Sequence, residues 1–302
     1  MFKLFRPFFN SRCIRTVCER CVRRHATQVT SEESTHFGFE TVTKQEKAHK
    51  VTDVFSKVAQ KYDLMNDVMS VGIHRLWKDR LIDTLDPMPG TRLLDVAGGT
   101  GDIAFRFVQR VKMKEGANPT SSVVVCDINK QMLNVGKQRA EKLGFNTLEM
   151  MEWVEGDAQN LPFANNTFDA YTIAFGIRNV VDIQKALDES HRVLKPGGMF
   201  LCLEFSKVQN SLLERWVKAN ANATIDDTCI FRLYDWYSFE VIPVMGEVIA
   251  SDWKSYQYLV ESIRQFPDQQ EFKSMIASSG YTLVDVDNLL NGVAAIHSAF
   301  KR

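Results

Sequence analysis

Cysteine is scarce in this chain, six in 302 residues, too few for the disulfide scaffold of small secreted domains. Cys126, Cys202 and Cys229 lie far apart in apolar or mixed runs and read as reduced thiols in or near a core. Cys13, Cys18 and Cys21 have the spacing of a plant-type iron–sulfur site, but no fourth cysteine stands at a suitable distance. His74, His191 and His297 do not fall with cysteines or acids at ligand spacing, so no metal site is expected. No apolar run approaches the ~18–20 residues of a membrane-spanning helix, which leaves a soluble chain able to rest on a membrane surface. Net charge is absent as well, with 37 basic and 37 acidic residues. No internal repeat is visible, and a chain of this length can bury a sizeable core unaided.

The even balance hides an asymmetry. Residues 1–31 carry Lys3, Arg6, Arg12, Arg15, Arg20, Arg23 and Arg24 against a single acid, Glu19. Taking these seven and one from 37 and 37 leaves 30 basic and 36 acidic residues, a body of net −6. A mildly acidic body argues against nucleic acid as a partner. The arginine-rich, acid-poor start has the composition of a mitochondrial transit peptide; a secretory signal would need an unbroken apolar run of ~7–15 residues, and arginines interrupt every such run. A basic amphipathic membrane anchor is the rival reading. Small polar residues over 26–44 read as a flexible joiner. The chain divides into a leader and joiner over 1–35 and one domain over 36–302.

From residue 45 the pattern becomes regular. Val51, Val54, Phe55, Val58, Ala59 and Tyr62 keep helical spacing, and a second helix over 74–85 is stopped by Pro87, Pro89 and Gly90. Short apolar runs follow at 92–98, 122–128, 152–157, 168–175 and 198–206, separated by helical patterns. Such alternation predicts an α/β fold, a doubly wound and mostly parallel sheet with helices on both faces, under an N-terminal helical cap. Two more helices (252–265, 268–280) and two more strands (282–289, 292–300) complete it. In open sheets of this kind ligands bind beyond the carboxyl ends of the strands, so the residues after each run carry the chemistry.

The first run ends in Asp95-Val96-Ala97-Gly98-Gly99-Thr100-Gly101-Asp102. Glycines allow a sharp turn and a close backbone approach, and the following helix offers free N–H groups to an anion. Gly99, Gly101 and Ala104 also fit a dinucleotide fingerprint, a weak signal alone. The second run ends at Asp127, where a ribose diol is gripped in either a nicotinamide or a methionine-derived cofactor. The third ends in Gly156-Asp157-Ala158, where an acid can reach an adenine amine. The fourth ends in Ala174-Phe175-Gly176-Ile177-Arg178-Asn179. Arg192-Val193-Leu194-Lys195-Pro196-Gly197-Gly198 reads as a helix end and tight turn feeding the fifth strand.

As an ordered set, these motifs resemble a class I S-adenosylmethionine-dependent methyltransferase, a Rossmann-like fold with a seven-stranded sheet. From about residue 38 to the end, the stretches 62–78, 174–180, 203–207, 238–272 and 292–300 resemble the ubiquinone/menaquinone C-methyltransferase family in particular. The resemblance implies S-adenosyl-L-methionine as cofactor and methylation of a polyprenyl-benzoquinol ring carbon. With the transit peptide it implies the mitochondrial ubiquinone branch, whose substrate is a 2-methoxy-6-polyprenyl-1,4-benzoquinol. It further implies a peripheral protein on the matrix side of the inner membrane, working among other ubiquinone-biosynthesis proteins, with a homodimer left open. Thr100, Asp127, Asp157 and Ala158 match the family's cofactor contacts; Asp95, Gly99 and Gly101 belong to the same loop. Ala174 stands where bacterial members often have serine, so one cofactor hydrogen bond is lost or taken over by backbone. Residues 213–231 read as an insertion, far longer than the usual ~2–6-residue connection and placed near the substrate entrance.

A hydroquinol carbon becomes nucleophilic when a neighbouring hydroxyl loses or shares its proton. The resemblance suggests that Arg178 and Asn179 act on the quinol. Arginine stays protonated, so Arg178 is expected to stabilise a developing phenolate; the alternative is a pairing with a structural carboxylate. Tyr62 is either a lid contact on the methionine end of the cofactor or a helix end packed on the core. Glu204 is an alternative base. Phe231, Tyr234, Trp236, Tyr237 and Phe239 either line a polyprenyl channel or pack in the core. A methyltransferase acting at a phenol oxygen, a nicotinamide dehydrogenase and a non-catalytic scaffold of the same fold are the competing readings.

Overall fold

Strands buried on both faces read as continuous apolar runs, and helices packed on them need only one apolar stripe. The computed structural model describes residues 34–58, 66–67, 70, 72–116, 119–145, 150–208 and 253–302. The 1–31 leader, the 213–231 insertion, the 231–239 aromatic run and Tyr62 lie outside the described residues. The described elements run β1 (Ser34–Phe37), β2 (Glu40–Thr43), α1 (Lys44–Val58), α2 (Ile73–Leu85), β3 (Arg92–Val96), α3 (Asp102–Glu115), β4 (Ser122–Asp127), α4 (Lys130–Lys142), β5 (Met151–Glu155) and β6 (Phe168–Ala174). After a 3₁₀ turn (Ile177–Asn179) come α5 (Ile183–Val193), β7 (Leu194–Phe205), α6 (Trp253–Gln265), α7 (Gln269–Ser278), β8 (Tyr281–Leu289) and β9 (Ala294–Lys301).

Seven strands form one sheet in the order β5-β4-β3-β6-β7-β9-β8. The first five are parallel, and β9 pairs antiparallel with both β7 and β8. The expected doubly wound, mostly parallel sheet of seven strands is therefore present. Successive side chains on β3 go to opposite faces, as a strand's twofold period requires. Leu93 joins Trp77, Leu81 and Phe107 of α2 and α3, whereas Leu94 joins Leu187, Phe272 and Ile276 of α5 and α7. Each expected strand and helix is found near its predicted bounds, the cap helix being described as far as Val58. Among the described residues no helix is long and apolar enough to cross a membrane.

Two local readings change. The joiner expected over 26–44 contains, from Ser34 to Thr43, a two-stranded hairpin. Its four-residue strands are too short to announce themselves by periodicity, and its support comes from distant residues. The Phe37 ring stacks on Tyr258 at 4.0 Å, and the Phe39 N–H donates to the Glu261 carboxylate at 3.1 Å. The turn expected at 192–198 lies within β7, which begins at Leu194 and shifts register between Phe168 and Ala170 of its neighbour.

The order of strands reverses beside β3, because the chain goes outward through β4 and β5 and then returns to β6 on the other flank. That reversal opens a crevice at the carboxyl ends of β3 and β6. Gly136 of α4 brings the helix close to its edge. A Cβ there would stand 2.5 Å from Cη2 of Trp153 and 3.2 Å from the carbonyl carbon of Thr100. Replacing an exposed helical glycine by alanine gains ~1 kcal/mol. At this position overpacking wins, and Gly136→Ala is expected to lower unfolding stability by ~1–2 kcal/mol in denaturant titration; a stabilised variant would show that α4 can withdraw freely.

Candidate active site

A cavity occupies the crevice. Asp95 to Thr100 line it from β3, Asp127 to Asn129 from β4, Gly156 to Gln159 from the loop after β5, and Ala174 to Gly176 with Asn179 from β6. Its roof is α1, through Ala48, Val51, Thr52 and Phe55. The Asn129 side-chain amide ties that roof down by donating to the Thr52 carbonyl at 3.3 Å and the Ser56 hydroxyl at 3.0 Å. Lys47 does the same on the β6 side, donating to the Val180 carbonyl at 2.9 Å; its burial pulls the ammonium down to about 8.

Two carboxyls define the electrostatics. Asp127 accepts from the Asn129 N–H at 2.7 Å and the Gly99 N–H at 2.9 Å. Gly99 can present its N–H there because it sits at φ +54°, a conformation glycine adopts freely. Asp95 is 1% exposed. Its Oδ1 accepts from the Thr172 hydroxyl at 2.8 Å, while Oδ2 has no hydrogen-bond partner among the described residues. Burial, added to by the charges of Asp127 and Asp102, pushes Asp95 up to about 7. Burial lifts Asp127 to about 6 against its two backbone bonds. The unpartnered Asp95 Oδ2 is buried beneath Gly98, where a Cβ would stand 2.8 Å from it, on a carboxyl that burial discourages from ionising.

Lys78 lines the same cavity from α2 and donates to Asp102 at 2.7 Å. Arg106 bonds the same carboxylate at 2.7 Å. Burial alone would raise the Asp102 carboxyl, but these two cations hold it below the ordinary carboxylate range. Arg139 donates to the Thr100 hydroxyl at 2.7 Å, bracing the glycine loop.

Arg178 is turned away from the cavity. Its Nη1 donates to Glu204 Oε1 at 2.9 Å and also to the Phe175 carbonyl, and Nε reaches the Ser262 hydroxyl at 3.3 Å. Both partners of the ion pair are buried. Burial raises the Glu204 carboxyl and the guanidinium works against it. Glu204 is thus engaged with a cation and is not a free base. Asn179 lines the cavity and accepts from the Tyr258 hydroxyl at 3.0 Å.

The fold therefore gathers Asp95, Gly99, Thr100, Asp127, Asp157, Ala158, Ala174 and Asn179 around one cavity, while Gly101 and Arg178 stand behind its wall. Lys78 and Phe175 were missed by sequence reasoning. Lys78 carried a signal: His74, Trp77, Lys78, Leu81, Ile82 and Leu85 form the buried stripe of α2, and a lysine inside an apolar stripe asks for a partner. The histidines have ordinary surroundings. His74 bonds the Ser70 hydroxyl at 2.6 Å, His191 packs edge-on against Tyr281, and His297 Nε2 reaches the Gln269 carbonyl at 3.1 Å.

The sheet order with its antiparallel β9 and the cavity at the β3 and β4 tips define the class I S-adenosyl-L-methionine-dependent methyltransferase fold. A methyltransferase of that kind from Thermotoga maritima superposes with a TM-score of 0.53 at 16% identity, over 83% of this chain and all of its own (100%). The cyclase SpnF superposes with a TM-score of 0.50 at 16% identity, over 83% of this chain and 94% of its own, so the fold alone does not fix the reaction. The family does: the model of the ubiE/COQ5 methyltransferase family matches residues 41–301, and the chain belongs to that family. It is an S-adenosyl-L-methionine-dependent methyltransferase. A Danio rerio relative, mitochondrial 2-methoxy-6-polyprenyl-1,4-benzoquinol methylase, is 54% identical over 94% of this chain and 90% of its own length. The Homo sapiens protein of the same name is 55% identical over 88% of this chain and 84% of its own.

Breaking a buried ion pair from one side leaves an uncompensated charge, whereas replacing both partners by apolar groups is often neutral. Arg178→Met alone is expected to cost ~3–5 kcal/mol of unfolding stability, and the double variant Arg178→Met with Glu204→Met to recover most of it. Equal losses in the single and double variants would show that the pair is not the dominant contact.

Proposed function

We propose that this chain methylates a ring carbon of a 2-methoxy-6-polyprenyl-1,4-benzoquinol in ubiquinone biosynthesis. The observation that carries the proposal is the identity of 54–55%, across most of the chain, to relatives bearing that activity in their names. S-Adenosyl-L-methionine supplies a methyl group on a positively charged sulfur. Transfer forms a bond from the methyl to the ring carbon, breaks the bond to sulfur with its electron pair remaining there, and releases the ring proton.

In this reading Asp127 holds the ribose diol and the Asp157–Ala158 turn holds the adenine. Gly99, Thr100 and Gly101 shape the loop under the methionine end, and Asp95, which lines the cavity beside them, would supply negative charge near the cationic part of the cofactor. Ala174 contributes backbone where a serine would add a hydroxyl, and Tyr62 is a contact for the methionine end of the cofactor. Arg178 stabilises the phenolate that makes the ring carbon nucleophilic. Its Nη2 is the guanidinium nitrogen that makes no hydrogen bond among the described residues, and the neighbouring Asn179 lines the cavity. The apolar roof of α1 keeps water from the sulfonium.

Residues 1–35 act as transit peptide and joiner, and 36–302 as the methyltransferase domain. The mature protein works on the matrix face of the inner membrane, where a polyprenyl substrate resides, beside other ubiquinone-biosynthesis proteins.

The test is incubation of the full chain with methyl-labelled S-adenosyl-L-methionine and a reduced short-chain 2-methoxy-6-prenyl-1,4-benzoquinol. Label on a ring carbon is expected, and Asp127→Ala should weaken cofactor binding by about tenfold or more through loss of charge-assisted hydrogen bonds. Label on oxygen, or no transfer by protein that binds the cofactor, would contradict the proposal.

A further inference from the structure

The cavity has a direction. Its wall passes from the β5 and β4 tips through β3 to β6, so an adenosine held by Asp127 and Asp157 points its methionine end at the tip of β6. A methyl acceptor must then approach from the side of β6 and β7. An aromatic trio stands there. Phe175 follows β6, Phe205 ends β7, and Trp77 reaches both from α2. Phe175 and Phe205 lie 4.8 Å apart at 43°; Trp77 lies 6.2 Å from Phe175 and meets Phe205 edge-on at 6.3 Å. The Arg178 guanidinium sits 5.6 Å from the Phe205 ring centre.

Phe175 is unusual among these. It sits at φ +56°, a conformation that is an outlier for a bulky side chain and costs ~1–3 kcal/mol. Glycine would carry the same backbone without strain. Three contacts hold the residue there: its N–H donates to the Leu203 carbonyl at 2.8 Å, its carbonyl accepts from Arg178 Nη1, and its ring packs on Trp77 and Phe205. The residue also lines the cavity. An ordinary core phenylalanine would need no such backbone; strain of this kind gathers at ligand clamps.

We infer that Phe175, backed by Trp77 and Phe205, is the platform on which the methyl acceptor's aromatic ring stacks, and so a specificity-determining contact for electron-rich rings. Offset or edge-to-face contact with an aromatic ring exceeds the contact's area alone, and the strained backbone holds Phe175 in place before the ring arrives. The inference rests on the quinol reading for the choice of probe.

The experiment measures, for the full chain, calorimetric affinity for the oxidised and therefore unreactive 2-methoxy-6-prenyl-1,4-benzoquinone, affinity for S-adenosyl-L-methionine, and turnover of the reduced quinol. Phe175→Leu and Phe175→Gly are expected to weaken quinone binding by about tenfold, equivalent to ~1.4 kcal/mol, with cofactor affinity within about threefold of wild type. The glycine variant relieves the backbone strain, which guards against a result due to misfolding. Phe175→Tyr, which keeps the ring, should retain quinone binding. The inference is overturned if Phe175→Leu binds the quinone as wild type does, or loses quinone and cofactor affinity in parallel. If wild-type protein binds the cofactor but neither binds nor methylates the probe, the quinol reading itself falls, an outcome distinct from an unchanged Phe175→Leu.

Discussion

Two carboxyls brought side by side at the tips of adjacent parallel strands are the constraint around which the active site is built. Parallel pairing of β3 and β4 makes Asp95 and Asp127 end on the same edge of the sheet, both buried. Two like charges in a low-dielectric pocket repel, and each also loses hydration. The fold relieves Asp127 with two backbone N–H groups and gives Asp95 a single hydroxyl. Gly98 leaves room for this, since a Cβ there would stand 2.8 Å from the free Asp95 oxygen. Neither carboxyl has a cation within hydrogen-bonding distance among the described residues.

The other buried charges near the cavity are neutralised inside the protein. Lys78 and Arg106 share Asp102, and Arg178 pairs with Glu204. Asp102, which itself lines the cavity, and Glu204 have cations within hydrogen-bonding distance, and among the described residues Asp95 does not. The pairing with Glu204 also alters the standing of Arg178. A guanidinium committed to Glu204, Ser262 and a backbone carbonyl is held in one orientation, and any action on the acceptor goes through the nitrogen left over.

Most of the sheet was legible in the sequence because buried parallel strands are continuous apolar runs, as in Leu93, Leu94 and Val96. The glycine loop and Asp127 were legible because they follow such runs directly. The hairpin over 34–43 was not, because its stability comes from Tyr258 and Glu261, more than two hundred positions away. The Arg178–Glu204 pair was weighed only as an unnamed alternative. It follows from register, since Ala174 opposite Leu203 sets the residues after each strand side by side, and register is not written in local composition. The strain at Phe175 was invisible for the same reason: it is imposed by the Leu203 carbonyl and by neighbours from α2 and β7.

If Asp95 and Asp127 hold the cofactor, the cavity at the β3 and β4 tips receives a cation on carboxyls that are partly protonated beforehand. Burial holds Asp95 at about 7 and Asp127 at about 6. A positively charged ligand favours the ionised forms, so binding must expel protons, and affinity must rise as pH increases through that range. The direct measurement is calorimetric titration of S-adenosyl-L-methionine into the full chain at pH 6.5, in two buffers of different ionisation enthalpy. Release of up to about one proton is predicted, with tighter binding at pH 7.5 than at pH 5.5, and with most of the release lost in Asp95→Asn. Binding whose enthalpy is independent of the buffer, or that takes up a proton, would contradict it.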